Sequence, residues 1–218
     1  MNELLPDPYS FVILLVGVAI VPFLAVMVTA YAKITVVLLL LRNALGLQQV
    51  PPNIVIYAIA ITISLFILQP VISSVTESLD TPGRSYQSIE DWRTAYNDAK
   101  VPVKNYLTTF ASDRERAFFL EAANKLWSEN ARASVKSDDL AILIPAFIVS
   151  ELTRAFEIGF LVFLPFIIID LVVSNILIAL GAIMVSPLTI SLPIKLFLFV
   201  VIDGWTRLIH GLVLSYAG

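Results

Sequence analysis

No cysteine occurs among the 218 residues, and histidine occurs once. The first absence excludes a disulfide framework and a thiolate metal site. It also suits an extracytoplasmic setting. The second leaves little equipment for acid–base or nucleophilic chemistry. His210 has no serine or cysteine elbow beside it, and no paired-histidine spacing is present. Glycine is scarce at eight residues, and Gly46, Gly159, Gly181, Gly204 and Gly211 stand alone, so no phosphate-cradling loop can be built. Charge is sparse too, at 14% against about 25% in ordinary soluble domains. The net charge of −3 argues against nucleic-acid binding. The first ten residues contain no Lys or Arg but do contain Glu3, Asp7, Pro6 and Pro8, which does not resemble a secretory signal. The N-terminal apolar run is therefore read as retained.

What the chain has instead is apolar length. Hydrophobic residues make up 58% of it and the mean hydropathy is +0.88. A soluble domain of this size could not bury that surface, whereas a bilayer could. Four apolar blocks flank one polar block. The first, 11–41, is broken only by Lys33 and would reach about 46 Å as one helix. That exceeds a hydrocarbon core of about 30 Å. It should overshoot, tilt or break, with Pro22 the expected kink. The second, 54–75, is uncharged and is the cleanest membrane-spanning candidate. The third runs over 140–187 and the fourth over 188–217.

Residues 76–139 hold nine of the Lys/Arg and eleven of the Asp/Glu, together with Trp92, Tyr96, Phe110, Phe118, Phe119 and Trp127. Enough aromatic surface is present for an ordered helical unit. The stretch 114–127 predicts an amphipathic helix with Phe118, Phe119, Ala122 and Leu126 on one side. Thr81-Pro82-Gly83 predicts a turn. The division expected is thus 1–75, two membrane-type segments; 76–139, a polar helical unit outside the membrane; and 140–218, apolar helices. Arg42, in a short loop with Pro51-Pro52-Asn53, favours a cytoplasmic loop, which would put the N-terminus and 76–139 outside. The fold class expected is all-α: an integral membrane protein with long kinked helices and helical hairpins.

Charged residues inside apolar blocks are the remaining candidates, since each costs about 2.5–3.5 kcal/mol at a helix centre unless it is paired or lines a wet path. Glu151, Arg154 and Glu157 are spaced so that the arginine could reach a carboxylate on either side. Asp170 lies one turn from Ser174, with Asn175 beside it. Asp203 and Arg207 are again a turn apart. Lys33 and Lys195 have no local acid, so their partners should lie on other helices or other subunits. These groups could form an ion or proton path, as in a secondary transporter. They could instead fix contacts between helices and subunits, or serve a purely structural scaffold. The contact role is preferred, because self-paired triads are poor ion ligands while assembly needs specific polar contacts. The proline, glycine and polar residues of 160–187 make one straight helix a poor fit and favour a bent hairpin buried against protein.

The motifs Pro145-Ala-Phe-Ile-Val-Ser-Glu-Leu-Thr-Arg-Ala-Phe-Glu-Ile-Gly159 and Pro193-Ile-Lys-Leu-Phe-Leu-Phe-Val-Val-Ile-Asp-Gly-Trp205 resemble the two signatures of the FliP/YscR/SctR family. Leu41-Arg-Asn-Ala-Leu-Gly-Leu-Gln-Gln-Val-Pro-Pro-Asn53 and Leu164-Pro-Phe-Ile-Ile-Ile-Asp-Leu-Val173 are similar to it as well. The resemblance covers nearly the whole chain, with 76–139 the divergent part. It implies a core subunit of the type III export gate in the bacterial inner membrane, with no enzymatic activity and no cofactor. Five copies would assemble with SctS-like and SctT-like subunits into a cone standing largely on the periplasmic side. A SctU-like switch protein would wrap its base, and unfolded secreted proteins would pass through. Members of the family carry a methionine cluster as a pore gasket. Here the positions read Ala182, Ile183 and Met184, so only one methionine is kept and the stiffer Ile183 stands beside it. The absence of a cleaved leader and the stretch Val185-Ser-Pro-Leu-Thr-Ile-Ser-Leu-Pro193 resemble the injectisome branch more than the flagellar one.

Overall fold

The structure is a computed structural model and describes residues 12, 15–16, 19, 26–80, 89–132, 135–182 and 184–217. Over these residues the chain is all-α. Its helices are α1 (Tyr31–Ala44), α2 (Asn53–Leu79), α3 (Ile89–Phe110), α4 (Asp113–Leu126), α5 (Glu129–Arg132), α6 (Leu140–Ala179), α7 (Pro187–Val201) and α8 (Gly204–Leu214). Among the described residues two helices, α2 and α6, are long and apolar enough to cross a membrane, and the α7–α8 pair would be a third span bent by 61°. The expected kink at Pro22 and the turn at Thr81-Pro82-Gly83 lie outside the described residues.

The first apolar block does break, at 28–30, where the Tyr31 N–H bonds the Thr29 hydroxyl before α1 begins. Its 14 residues span about 21 Å, too short for a bilayer. α1 serves as the buried centre instead. Ile34, Val37 and Leu38 pack with Ile56 and Ala60 of α2, Ala155 of α6 and Leu212 of α8. Leu41 and Ala44 pack with Phe166 of α6 and Phe199 of α7. The crossing of α1 and α6 is close at Gly159, where a Cβ would lie 2.2 Å from the Leu40 Cδ1. Any larger residue would force Leu40 aside.

α6 corrects the expectation of a bent hairpin within 160–187. It runs as one helix of 40 residues through Pro145, Pro165, Asp170 and Asn175, about 60 Å in length. It stops at Gly181, whose φ of +71° lets the Ala182 N–H bond the Leu177 carbonyl and the Gly181 N–H bond the Ile178 carbonyl. That pair of bonds closes a helix C-terminus with a left-handed residue. Gly46 ends α1 in the same way, bonding the Asn43 carbonyl while Leu47 bonds that of Arg42. The hairpin therefore lies between α6 and α7, with residues 180–182 and 184–186 at its tip.

The polar helices do not stand apart from the apolar ones. Tyr106, Leu107 and Ala111 at the end of α3 share a core with Leu143, Ala146 and Phe147 of α6. α4 turns only part of the expected face inward. Phe119 and Ala123 pack inward, while Phe118 and Leu126 are exposed. Ser112 caps α4 by accepting from the Glu115 N–H. Lys104 bonds Asp138 at 2.6 Å, tying α3 to the segment that leads into α6, and this holds the Asp138 carboxyl below its usual range.

Candidate functional site

Five charged residues of the apolar blocks gather at two nodes, and each node joins an acid on α6 to a cation that caps another helix. At the first, Glu151 is 1% exposed and so is Lys33. The Lys33 Nζ lies 3.2 Å from one carboxylate oxygen, and the Arg154 Nη1 lies 3.2 Å from the other. Arg154 also donates to the Phe110 carbonyl at 2.9 Å. Phe110 is the last residue of α3, so the guanidinium satisfies a carbonyl that the helix leaves unbonded, at the negative end of its dipole. One residue before Glu151, the Ser150 hydroxyl accepts the Ser112 N–H at 2.9 Å and donates to the Ala146 carbonyl at 2.7 Å. Ser150, Glu151 and Arg154 thus join α6 to α1 and to the junction of α3 and α4.

Tyr216 completes this node, and sequence reasoning missed it. Its hydroxyl donates to Glu151, and the Lys33 ammonium sits 3.6 Å from the centre of its ring. The ring also packs at a tilt against Phe110, 4.8 Å between centres. An aromatic face draws a cation, and the phenol supplies Glu151 with a further donor. Two positive charges surround one carboxylate here, and the α3 carbonyl and the tyrosine ring take up the excess. The only hint in the sequence was an unpartnered lysine in an apolar run, and that hint could not name a residue 183 positions away.

At the second node Lys195 of α7, 2% exposed, bonds the Asp170 carboxylate at 2.6 Å and the Ala44 carbonyl at 3.0 Å. Ala44 is the last residue of α1, so Lys195 caps that helix as Arg154 caps α3. The other carboxylate oxygen of Asp170 is out of solvent contact and has no donor. Asn175, a turn and a half further on, is exposed and makes no contact with Asp170 among the described bonds.

The other expected pairs do not form. Glu157 is exposed, and Arg154 turns to Glu151 alone. Asp203 and Arg207 make no ion pair among the described residues, because Asp203 sits outside the helix in a left-handed conformation (φ 52°) at the α7–α8 bend. Gly204 follows because a Cβ there would lie 2.2 Å from the Phe199 ring. His210 is exposed on α8. Arg42 closes its loop by donating to the Pro51 carbonyl at 3.3 Å and to the Asn53 side chain at 2.6 Å.

Of the gasket positions, Ala182 and Met184 lie at the tip of the α6–α7 hairpin. Met184 is fully exposed there and Ala182 is half-buried, while Ile183 lies outside the described residues. An unbranched apolar side chain standing free at a hairpin tip has nothing among the described residues to pack on.

Comparison with known proteins agrees with this arrangement of motifs. The FliP family model matches residues 14–212, which includes the polar helices as well as the apolar ones. The Yop proteins translocation protein R of Yersinia pestis is 49% identical over 214 residues, covering 98% of this chain and 99% of that protein. The probable translocation protein y4yL of Sinorhizobium fredii is 48% identical over 216 residues, 99% of this chain and 97% of that protein. The harpin secretion protein HrcR of Erwinia amylovora is 40% identical over 216 residues, 99% of this chain and all of its own length. With the charged residues of both nodes and the hairpin falling within the matched residues, the chain belongs to the FliP family and is an all-α membrane subunit of a type III secretion export apparatus.

Proposed function

We propose that the chain is one of five copies that build a conduit for unfolded secreted proteins in the bacterial inner membrane. SctS-like and SctT-like subunits complete the cone, and a SctU-like switch protein encircles its base. Much of the assembly stands on the periplasmic side, where residues 76–139 lie. The conduit is passive. It needs no cofactor and has no catalytic step, and the energy for export comes from elsewhere in an injectisome. The two charged nodes hold helices in register, and Ala182, Ile183 and Met184 close the passage.

The observation that carries this reading is the hairpin tip. Met184 is fully exposed and apolar, and it sits on the connection between the 40-residue α6 and α7. Methionine is unbranched and adapts to irregular surfaces, which suits a seal around cargo of variable shape. The pairing of Glu151 with Lys33 and of Lys195 with Asp170 supports a structural role for the charges over a transport relay, since both nodes bond to protein partners.

A photo-crosslinking amino acid at Met184 tests the reading in cells exporting a substrate fused to a domain that jams the passage. The expected product joins this chain to the jammed substrate. The same probe at Phe66, exposed on α2, should give no such product. Capture at Phe66 with none at Met184 would contradict the placement of the passage.

A further inference from the structure

Glu157 and Arg207 are charges of opposite sign that stand exposed on apolar surfaces, and neither forms an ion pair among the described residues. Glu157 lies on a shelf of α6 formed by Val149, Leu152, Phe156 and Phe160. Arg207 lies at the edge of a groove of about 410 Å³ between α6 and α8, lined by Val162, Phe166, Phe199 and Leu212. An ion held against apolar surface needs a partner, because lipid cannot solvate it. We propose that the Glu157 shelf of one copy docks in the Arg207 groove of the next, with Glu157 and Arg207 paired between the two chains.

The geometry favours a second copy over pairing within the chain. Glu157 is two residues from Gly159, roughly 200° around the helix, so it points away from α1. Ile158, not Glu157, faces the groove. The two halves of the pair therefore lie on different sides of one molecule. Surfaces placed in this way meet head to tail, and repetition of that contact closes a ring when the rotation allows. Phe156 and Phe160 flank Glu157 and are 59% and 61% exposed. Their rings are suited to fill the apolar floor beneath Arg207. The acid nearest to Arg207 in sequence, Asp203, is held outside the helix at the bend. Asp170 is already bonded to Lys195.

This pairing rests on the assembly proposed above, and one set of variants separates the two. Full-length protein is co-produced with its partner subunits and its copy number is read by native mass spectrometry. Glu157→Arg alone and Arg207→Glu alone should each lower the yield of the oligomer by about tenfold or more, since like charges then face each other. The double variant Glu157→Arg/Arg207→Glu should restore it. The chain has no native cysteine, which permits a direct geometric arm. Glu157→Cys and Arg207→Cys, carried on two differently tagged copies, should be joined between chains by a short bis-maleimide crosslinker. An oligomeric parent whose single variants assemble normally and whose cysteines do not crosslink would overturn the pair alone. A parent chain that purifies as a monomer would overturn the assembly and the pair together.

Discussion

Glu151→Ala should abolish the assembled complex, not merely its transport. The substitution leaves the Lys33 ammonium buried without its carboxylate and deprives Arg154 of its acid. Removing one partner of a buried pair costs about 3–5 kcal/mol, because the other charge stays unpaired. Folded domains are stable by only about 5–15 kcal/mol, so this is a large share of the whole. Glu151→Gln keeps the shape but not the charge, and it should also reduce assembly. Tyr216→Phe removes one hydrogen bond to a charged group and should cost less, about 1.5–3 kcal/mol. The paired replacement Lys33→Met/Glu151→Leu should recover much of the stability lost by either single change, since well-packed apolar residues can replace a buried ion pair. The measurements are the thermal unfolding midpoint in detergent and the yield of complex. A Glu151→Gln protein that assembles fully yet fails to export would instead assign Glu151 to a relay.

The second large effect is expected at the hairpin tip. Replacing Ala182, Ile183 and Met184 with glycine should raise ion leakage through the assembled complex while leaving its subunit composition unchanged. Gly181 already provides the left-handed residue that ends α6, so the turn itself does not depend on these three side chains. What the substitution removes is the apolar filling. Conductance across planar bilayers, or the sensitivity of cells to small solutes, reads the change. Restoring Met184 alone should recover part of the seal. Conductance equal to that of the parent, in an intact complex, would show that these side chains close nothing.

Much of this organisation was legible in the chain because apolar runs and charge position are local signals. α2 followed from an uncharged run, and the need of Lys33 and Lys195 for distant partners followed from their isolation. Which partners they take did not follow, because Glu151 and Asp170 are set by how α1 and α7 lie against α6. Tyr216 was illegible for the same reason. The continuity of α6 was misread because Pro165 and Asp170 look like breaks. A proline costs one backbone bond but is tolerated in membrane helices, where neighbours make up for the loss. Lys195 neutralises Asp170 and so removes the second reason to break. The true stop was a single glycine whose backbone conformation no composition reveals. On α4, counting apolar residues selected Phe118, Phe119 and Leu126, while packing kept Phe119, added Ala123 and left Phe118 and Leu126 exposed. The motif from Ser150 to Arg154 was recognisable as unusual, but its role as a three-way joint depends on Ser112 and Phe110, some forty residues away.

The most direct test of the central claim is native mass spectrometry of the complex purified through a tag on this chain. The account predicts a large oligomer of five copies of the chain together with small hydrophobic partner subunits. A monomer or dimer free of partners, active in moving a small solute across liposomes, would contradict it.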